Sequence, residues 1–154
     1  MFVLLRHLQR VRREAALPKR SGARSLAIRH VDAGSCNACE HELTATAAPQ
    51  YDLQRFGLDI VASPRHADIL LVTGPVTTRM AGSLQAAYEA MPEPRFVAAL
   101  GDCALGCGVL GTAAEIAGPL EKLLPVDIRI PGCPPAPRKI ADAILAACFP
   151  EPPR

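Results

Sequence analysis

Apolar and polar positions change rhythm several times along the chain, and the changes mark out elements. Residues 1–17 carry Leu4, Leu8, Val11 and Ala15 in one narrow stripe of a 3.6-residue wheel, with Arg6, Arg10 and Arg13 opposite. That spacing predicts an amphipathic helix, ended by Pro18 and the KRSG stretch. Beyond it, Ser25–Val31 reads as a strand and Cys36–Ala48 as a helix stopped by Pro49. Leu58–Ala62 and the nearly continuous apolar run Ala67–Thr73 read as strands, and Arg79–Met91 has helical spacing through Met80, Leu84, Ala87 and Tyr88. Phe96–Leu100 predicts another buried strand, 116–124 a helix, Val126–Ile130 a last strand and Pro135–Cys148 a last helix. On that last helix Ile140, Ala143, Ile144, Ala147 and Cys148 share one face. Strands apolar throughout and separated by helices imply a parallel sheet covered on both sides, a doubly wound α/β domain.

Composition supports a folded core. Of 154 residues 49% are hydrophobic and 21% charged, which excludes a disordered or fibrous chain. Aromatics are 4% with no Trp, so Leu, Val, Ile and Ala build the interior, and fifteen prolines punctuate it. The net charge of +2 hides an asymmetry: residues 1–30 hold eight Lys/Arg against Glu14 alone, and the remainder nine against fourteen acids. A basic arm, residues 1–22, thus precedes a mildly acidic body, residues 23–154. The arm reads either as a helix with a solvated basic face or as a docking element for a membrane surface or partner subunit. Nucleic acid is not an expected partner, because the body is acidic and no aromatic is interleaved with the arginines. No apolar run approaches the roughly 18–20 residues that span a bilayer, and the arginines after Phe2–Leu5 break any secretory signal. A cytoplasmic setting is expected, where six cysteines read as metal ligands or buried thiols.

The cysteines carry the chemistry. Cys36 and Cys39 form C-N-A-C past the first strand, Cys103 follows FVAAL with Cys107 four residues on, and Cys133 follows VDIRI in P-G-C-P-P. In a parallel sheet these loops emerge at the carboxyl edge, where such folds bind ligands. Four soft ligands gathered there suit an iron–sulfur cluster or zinc. Glycines 34, 101, 106, 108 and 132 let backbone approach an inorganic core, and a helix starting near Cys36 turns its positive end toward an anion. Neither a Walker lysine motif nor G-x-G-x-x-G is present, so nucleotide readings fall away.

The elements CNACEHEL, SPRHADILLVTGPVT, ALGDCALGCGV and IRIPGCPPAPRKI, in that order over residues 35–140, resemble the small cluster-bearing subunit shared by respiratory complex I and membrane-bound, group 4 [NiFe] hydrogenases such as formate hydrogenlyase. The resemblance implies a flavodoxin-like domain with one [4Fe–4S] cluster, packed on a large catalytic subunit near a further iron–sulfur subunit and membrane subunits. By motif the ligands are Cys36, Cys39, Cys103 and Cys133. Glu42, three residues after the second cysteine where the family has an acid, is implied in a proton path or an interface network. Complex I subunits usually have adjacent cysteines in the first motif, whereas C-x-x-C is typical of the hydrogenase branch. The expectation is therefore an electron-transfer subunit of a hydrogenase on the cytoplasmic face of the membrane, not catalytic alone.

Two alternatives stay open: a quinone- or ferredoxin-linked complex without nickel, and a structural zinc module of Cys36, Cys39, Cys103 and Cys107. Cys107 competes with Cys103 for the third ligand, and Cys103 is preferred as nearest the strand end. Cys148 reads as a buried small side chain, and His41 as a solvated or interface histidine. Arg65 and His66 form a surface turn or, by the resemblance, a partner- or quinone-facing loop, and Thr73–Thr77 (TGPVT) ends a strand at the thiol rim and shapes the pocket.

Overall fold

The computed structural model describes residues 25–110 and 113–148; the amphipathic arm lies outside the described residues. Strand β1 is Leu26–Asp32, helix α1 Ala38–Ala45, β2 Leu58–Ile60, β3 Ile69–Thr73, β4 Val76–Thr77 and α2 Thr78–Glu89. There follow β5 Phe96–Leu100, β6 Ile116–Gly118, β7 Ile128–Ile130 and α3 Pro137–Cys148. The main sheet has the order β2-β1-β3-β5-β7 and every pair in it is parallel. Numbered among themselves, these strands run 2-1-3-4-5, a doubly wound order as the apolar pattern predicts and the flavodoxin-like arrangement that the resemblance implies. Strands β4 and β6 form a separate antiparallel pair beside it.

Alternation explains why the strands look apolar throughout. Ile69 and Leu71 enter one core with Leu43 of α1 and Ile140 and Ile144 of α3, whereas Leu70 and Val72 enter the other with Leu84 and Tyr88 of α2. All five residues of β3 are buried, as befits a central strand covered on both faces. The sequence stripe of α3 packs as expected, with Ile140 and Ile144 fully buried and Cys148 against the same core.

One element is corrected. Residues 116–124 form strand β6 and a 3₁₀ turn at Leu120–Lys122, not a helix. Ile116, Leu120, Leu123 and Leu124 have helical spacing, but Pro119 has no N–H to donate and biases the preceding residue away from the helical region. Gly118 sits at φ +132°. The first helix is also shorter than the expected Cys36–Ala48, running Ala38–Ala45 after Asn37 adopts a left-handed φ of 69°.

Gly82, exposed in the middle of α2, would meet nothing within 4 Å if given a Cβ. Gly82→Ala is therefore expected to stabilise the fold by about 1 kcal/mol, the helix-propensity difference, read as a higher denaturation midpoint at unchanged slope.

Candidate metal centre

The three cysteine loops leave β1, β5 and β7, which are parallel, so all leave from one edge of the sheet. The first loop is shaped by Asp32, whose Oδ1 accepts from the N–H groups of Gly34 (2.8 Å) and Ser35 (2.7 Å). Burial acts to raise the Asp32 carboxyl, but these backbone donors outweigh it and hold it below its ordinary range. The loop is tied to the end of β3 through Ala33 N–H to Thr73 O (3.0 Å), and Thr77 N–H returns to Ala33 O (2.9 Å). Cys36 is exposed in this loop, and Cys39 lies in the first turn of α1, partly buried against the core.

The other two loops are clamped to each other. Asp102 N–H donates to Gly132 O (2.9 Å), and Asp102 Oδ1 accepts from Gly132 N–H (2.7 Å). Gly101 N–H donates to Ile130 O (2.8 Å). This pairing extends the β5–β7 ladder past the strand ends and fixes the Cys103 turn beside Cys133. Neither Asp102 nor this clamp was singled out in the sequence, where G-D-C reads only as a turn.

The thiols of Cys39 and Cys103 are both pushed up, with the neighbouring cysteines among the causes. Burial first, then Glu40, then Cys36, Cys103 and Cys133 push the Cys39 thiol up to about 12. Cys103 is raised chiefly by burial; a Leu110 backbone donor opposes this, and Cys133, Cys36 and Asp102 add to it. Backbone without side chains lets the loops close in. A Cβ on Gly101 would stand 2.6 Å from Cys39 Sγ, and one on Gly108 would collide with Cys103 Sγ. Such crowded thiols suit soft, multi-thiolate centres, because a cation relieves the repulsion that opposes their ionisation. Among the described residues no three His, Cys, Asp or Glu side chains gather tightly enough to share a single ion.

Cys107, in the Cys103 loop, is exposed and its thiol lies 3.5 Å from the Asp102 carbonyl as donor. Cys148 is remote on α3, its thiol pushed up to about 11 by burial and then by Asp68. His41 is exposed and pairs with Asn37 Nδ2 at 3.2 Å. Arg65 and His66 are exposed in a 3₁₀ turn that feeds the start of β3, the opposite end of that strand from the thiols. TGPVT does lie at the rim, leading from β3 into β4. Glu42 is half-buried on α1, and none of the hydrogen bonds found among the described residues involves its carboxylate.

Sequence reasoning passed over a polar group under α1. Glu40, 15% exposed, accepts from the hydroxyl of fully buried Thr73, and His30 Nε2 lies 2.9 Å from that hydroxyl and 3.6 Å from Glu40 Oε1. Strand parity unites them: His30 continues the Leu26–Ile28 side of β1 and Thr73 the Ile69–Leu71 side of β3, both facing α1.

A parallel sheet with its thiol loops on one edge makes this a doubly wound α/β protein with a cysteine-bearing rim. Residues 36–147 match the family described as NADH ubiquinone oxidoreductase, 20 Kd subunit, and the chain belongs to that family. It is 45% identical over 124 residues to the probable membrane-bound hydrogenase subunit mbhJ of Pyrococcus furiosus, covering 80% of this chain and 74% of that one. It is 44% identical over 114 residues to formate hydrogenlyase subunit 7 of Escherichia coli, covering 74% of this chain but only 45% of the longer relative. Among solved structures it resembles a chain of the membrane-bound sulfane sulfur reductase, an archaeal respiratory membrane complex, with a TM-score of 0.72 and 32% identity over 86% of this chain and 76% of that one. The relatives are subunits of oxidoreductase complexes. No helix among the described residues is long and apolar enough to cross a membrane.

Proposed function

We propose that this chain is the electron-transfer subunit of a membrane-associated, formate hydrogenlyase-like hydrogenase complex, with Cys36, Cys39, Cys103 and Cys133 holding one [4Fe–4S] cluster. The observation that carries the reading is the emergence of the three cysteine loops at one edge of the parallel sheet, two of them clamped to each other through Asp102 and Gly132. The zinc alternative used Cys107 in place of Cys133, yet it is Cys133 whose loop is pinned to that of Cys103 through Asp102. When bound, the cluster supplies a one-electron carrier whose potential follows from its charge, burial and N–H···S contacts.

The chain's own residues do the holding and the insulating. Asp32 and Asp102 set the loops, Gly101 and Gly108 leave room for the sulfurs, and the core under Cys39 keeps water from one side. Val109, 87% exposed, and Leu110, 39% exposed, present apolar surface in the Cys103 loop. Such surface at a redox rim suits the seat of a large catalytic subunit, which also brings its own redox centre close. In this reading a further iron–sulfur subunit and membrane subunits complete the assembly on the cytoplasmic face, where the chain is peripheral. Glu42, half-buried on α1, serves a proton path or an interface hydrogen-bond network.

The likeness to the sulfane sulfur reductase chain favours a second reading, a complex whose large subunit does other redox chemistry without nickel. Anaerobic purification from membranes through a tag on this chain separates the cases. The first reading predicts a co-purified large subunit with iron and nickel; iron without nickel points to the second. A colourless, zinc-bearing preparation overturns both. In the same complex Glu42→Gln should keep the iron and slow turnover several-fold, and unchanged turnover removes Glu42 from the proton path.

A further inference from the structure

Glu40 stands next to a proposed ligand, is largely buried, and is not itself a ligand in the reading above. A carboxylate ordinarily avoids such a place unless its oxygens are satisfied. Only one is: Oε1 accepts a hydrogen bond from the Thr73 hydroxyl, while Oε2 is buried without a hydrogen-bond partner. Thr73 has one proton to give, so it accepts from His30, whose Nε2 then carries hydrogen. Burial lowers the His30 pKa below its ordinary value, with Glu40 and Asp32 pulling the other way. A net negative charge, pinned at one oxygen and shielded from water, acts on its surroundings more strongly than the same charge on a surface.

We propose that Glu40 is a fixed anion that lowers the reduction potential of the cluster, and that Thr73 and His30 are positioning residues that hold its carboxylate in place. The inference rests on the proposed function, since it presupposes a cluster on Cys39. The sign follows from charge. Reduction adds an electron to the centre, and a neighbouring anion opposes it. Glu40 directly follows Cys39 in the first turn of α1, so its carboxylate is held one residue from a proposed ligand. Because the group is buried, the effect should survive high salt better than that of a surface acid.

The test is a redox titration, followed by the low-temperature EPR signal of the cluster, on the anaerobically purified complex. Glu40→Gln keeps the shape and the oxygen that accepts from Thr73, and removes the charge. It should move the midpoint to more positive potential with iron content unchanged. Thr73→Val, which frees the carboxylate, should move it the same way by less, and Thr73→Ser should restore the native value. A structural role for the hydroxyl would alter loading or stability without this ordered set of shifts. A loaded Glu40→Gln complex with the native midpoint overturns the inference alone. If Glu40→Gln does not load, Thr73→Val decides by the direction of its shift, and failure of both to load shows a role in assembly and overturns tuning. A native complex without any iron–sulfur signal on this subunit overturns the proposed function instead.

Discussion

Cys36→Ser and Cys133→Ser should each strip the cluster from this subunit, removing its EPR signal from the reduced complex. Both thiols are exposed and contribute little to the core, so losing one sulfur costs the fold almost nothing. Serine keeps the size but offers a hard, weakly acidic oxygen where the centre needs a soft thiolate. Loss of the signal with secondary structure kept would therefore come from ligation itself. Cys148→Ser and Cys107→Ser are the controls, the first remote on α3 and the second turned toward the Asp102 carbonyl. Both should retain native iron content. A Cys107→Ser variant that loses the signal while Cys133→Ser keeps it would redraw the ligand set toward the zinc-type arrangement.

Gly101→Ala should be nearly as damaging, though it removes no ligand. Gly101 holds φ +90°, where an L side chain costs about 1–3 kcal/mol. Its new methyl group would also lie 2.6 Å from Cys39 Sγ, an approach that real atoms avoid, so the sulfur must move. Cys39 has little room to do so, since it packs on the core beneath α1. Supporting groups around a metal ligand are commonly worth about 10–100-fold in affinity, and a displaced ligand should cost at least as much. Iron content after anaerobic desalting against a chelator reads the effect. Gly82→Ala supplies the comparison, the same change in open space with full retention of iron. Equal iron in both variants would mean that the Cys39 sulfur does not need its present position.

Much of the architecture was readable because the sheet is buried on both faces. Phe96–Leu100 is a strand with the bounds its apolar run implies, and the stripe on α3 meets the core as its spacing requires. The rim was readable for a topological reason: parallel strands send all their following loops to the same edge, so cysteines placed after strands must meet. Where two patterns overlapped, the sequence misled. Residues 116–124 have helical apolar spacing, but Gly118 and Pro119 interrupt the backbone and turn Leu120 into the core through a 3₁₀ turn. Glu40 shows a different limit. It follows Cys39 by one residue and Glu42 precedes Leu43 by one, so the two acids flank the inward Cys39–Leu43 stripe symmetrically and periodicity favours neither. Only the partners that β1 and β3 supply, His30 and Thr73, draw Glu40 beneath the helix. Asp102 was hidden in the same way, because its partner Gly132 lies on a different loop thirty residues away.

A density map of the anaerobically isolated complex, sharp enough to resolve metal centres at the three loops, tests the central claim most directly. It should show four-iron density bonded to the sulfurs of Cys36, Cys39, Cys103 and Cys133, with Cys107 outside it. A single metal atom at the rim, or an iron centre that leaves Cys133 unbonded, would contradict the account.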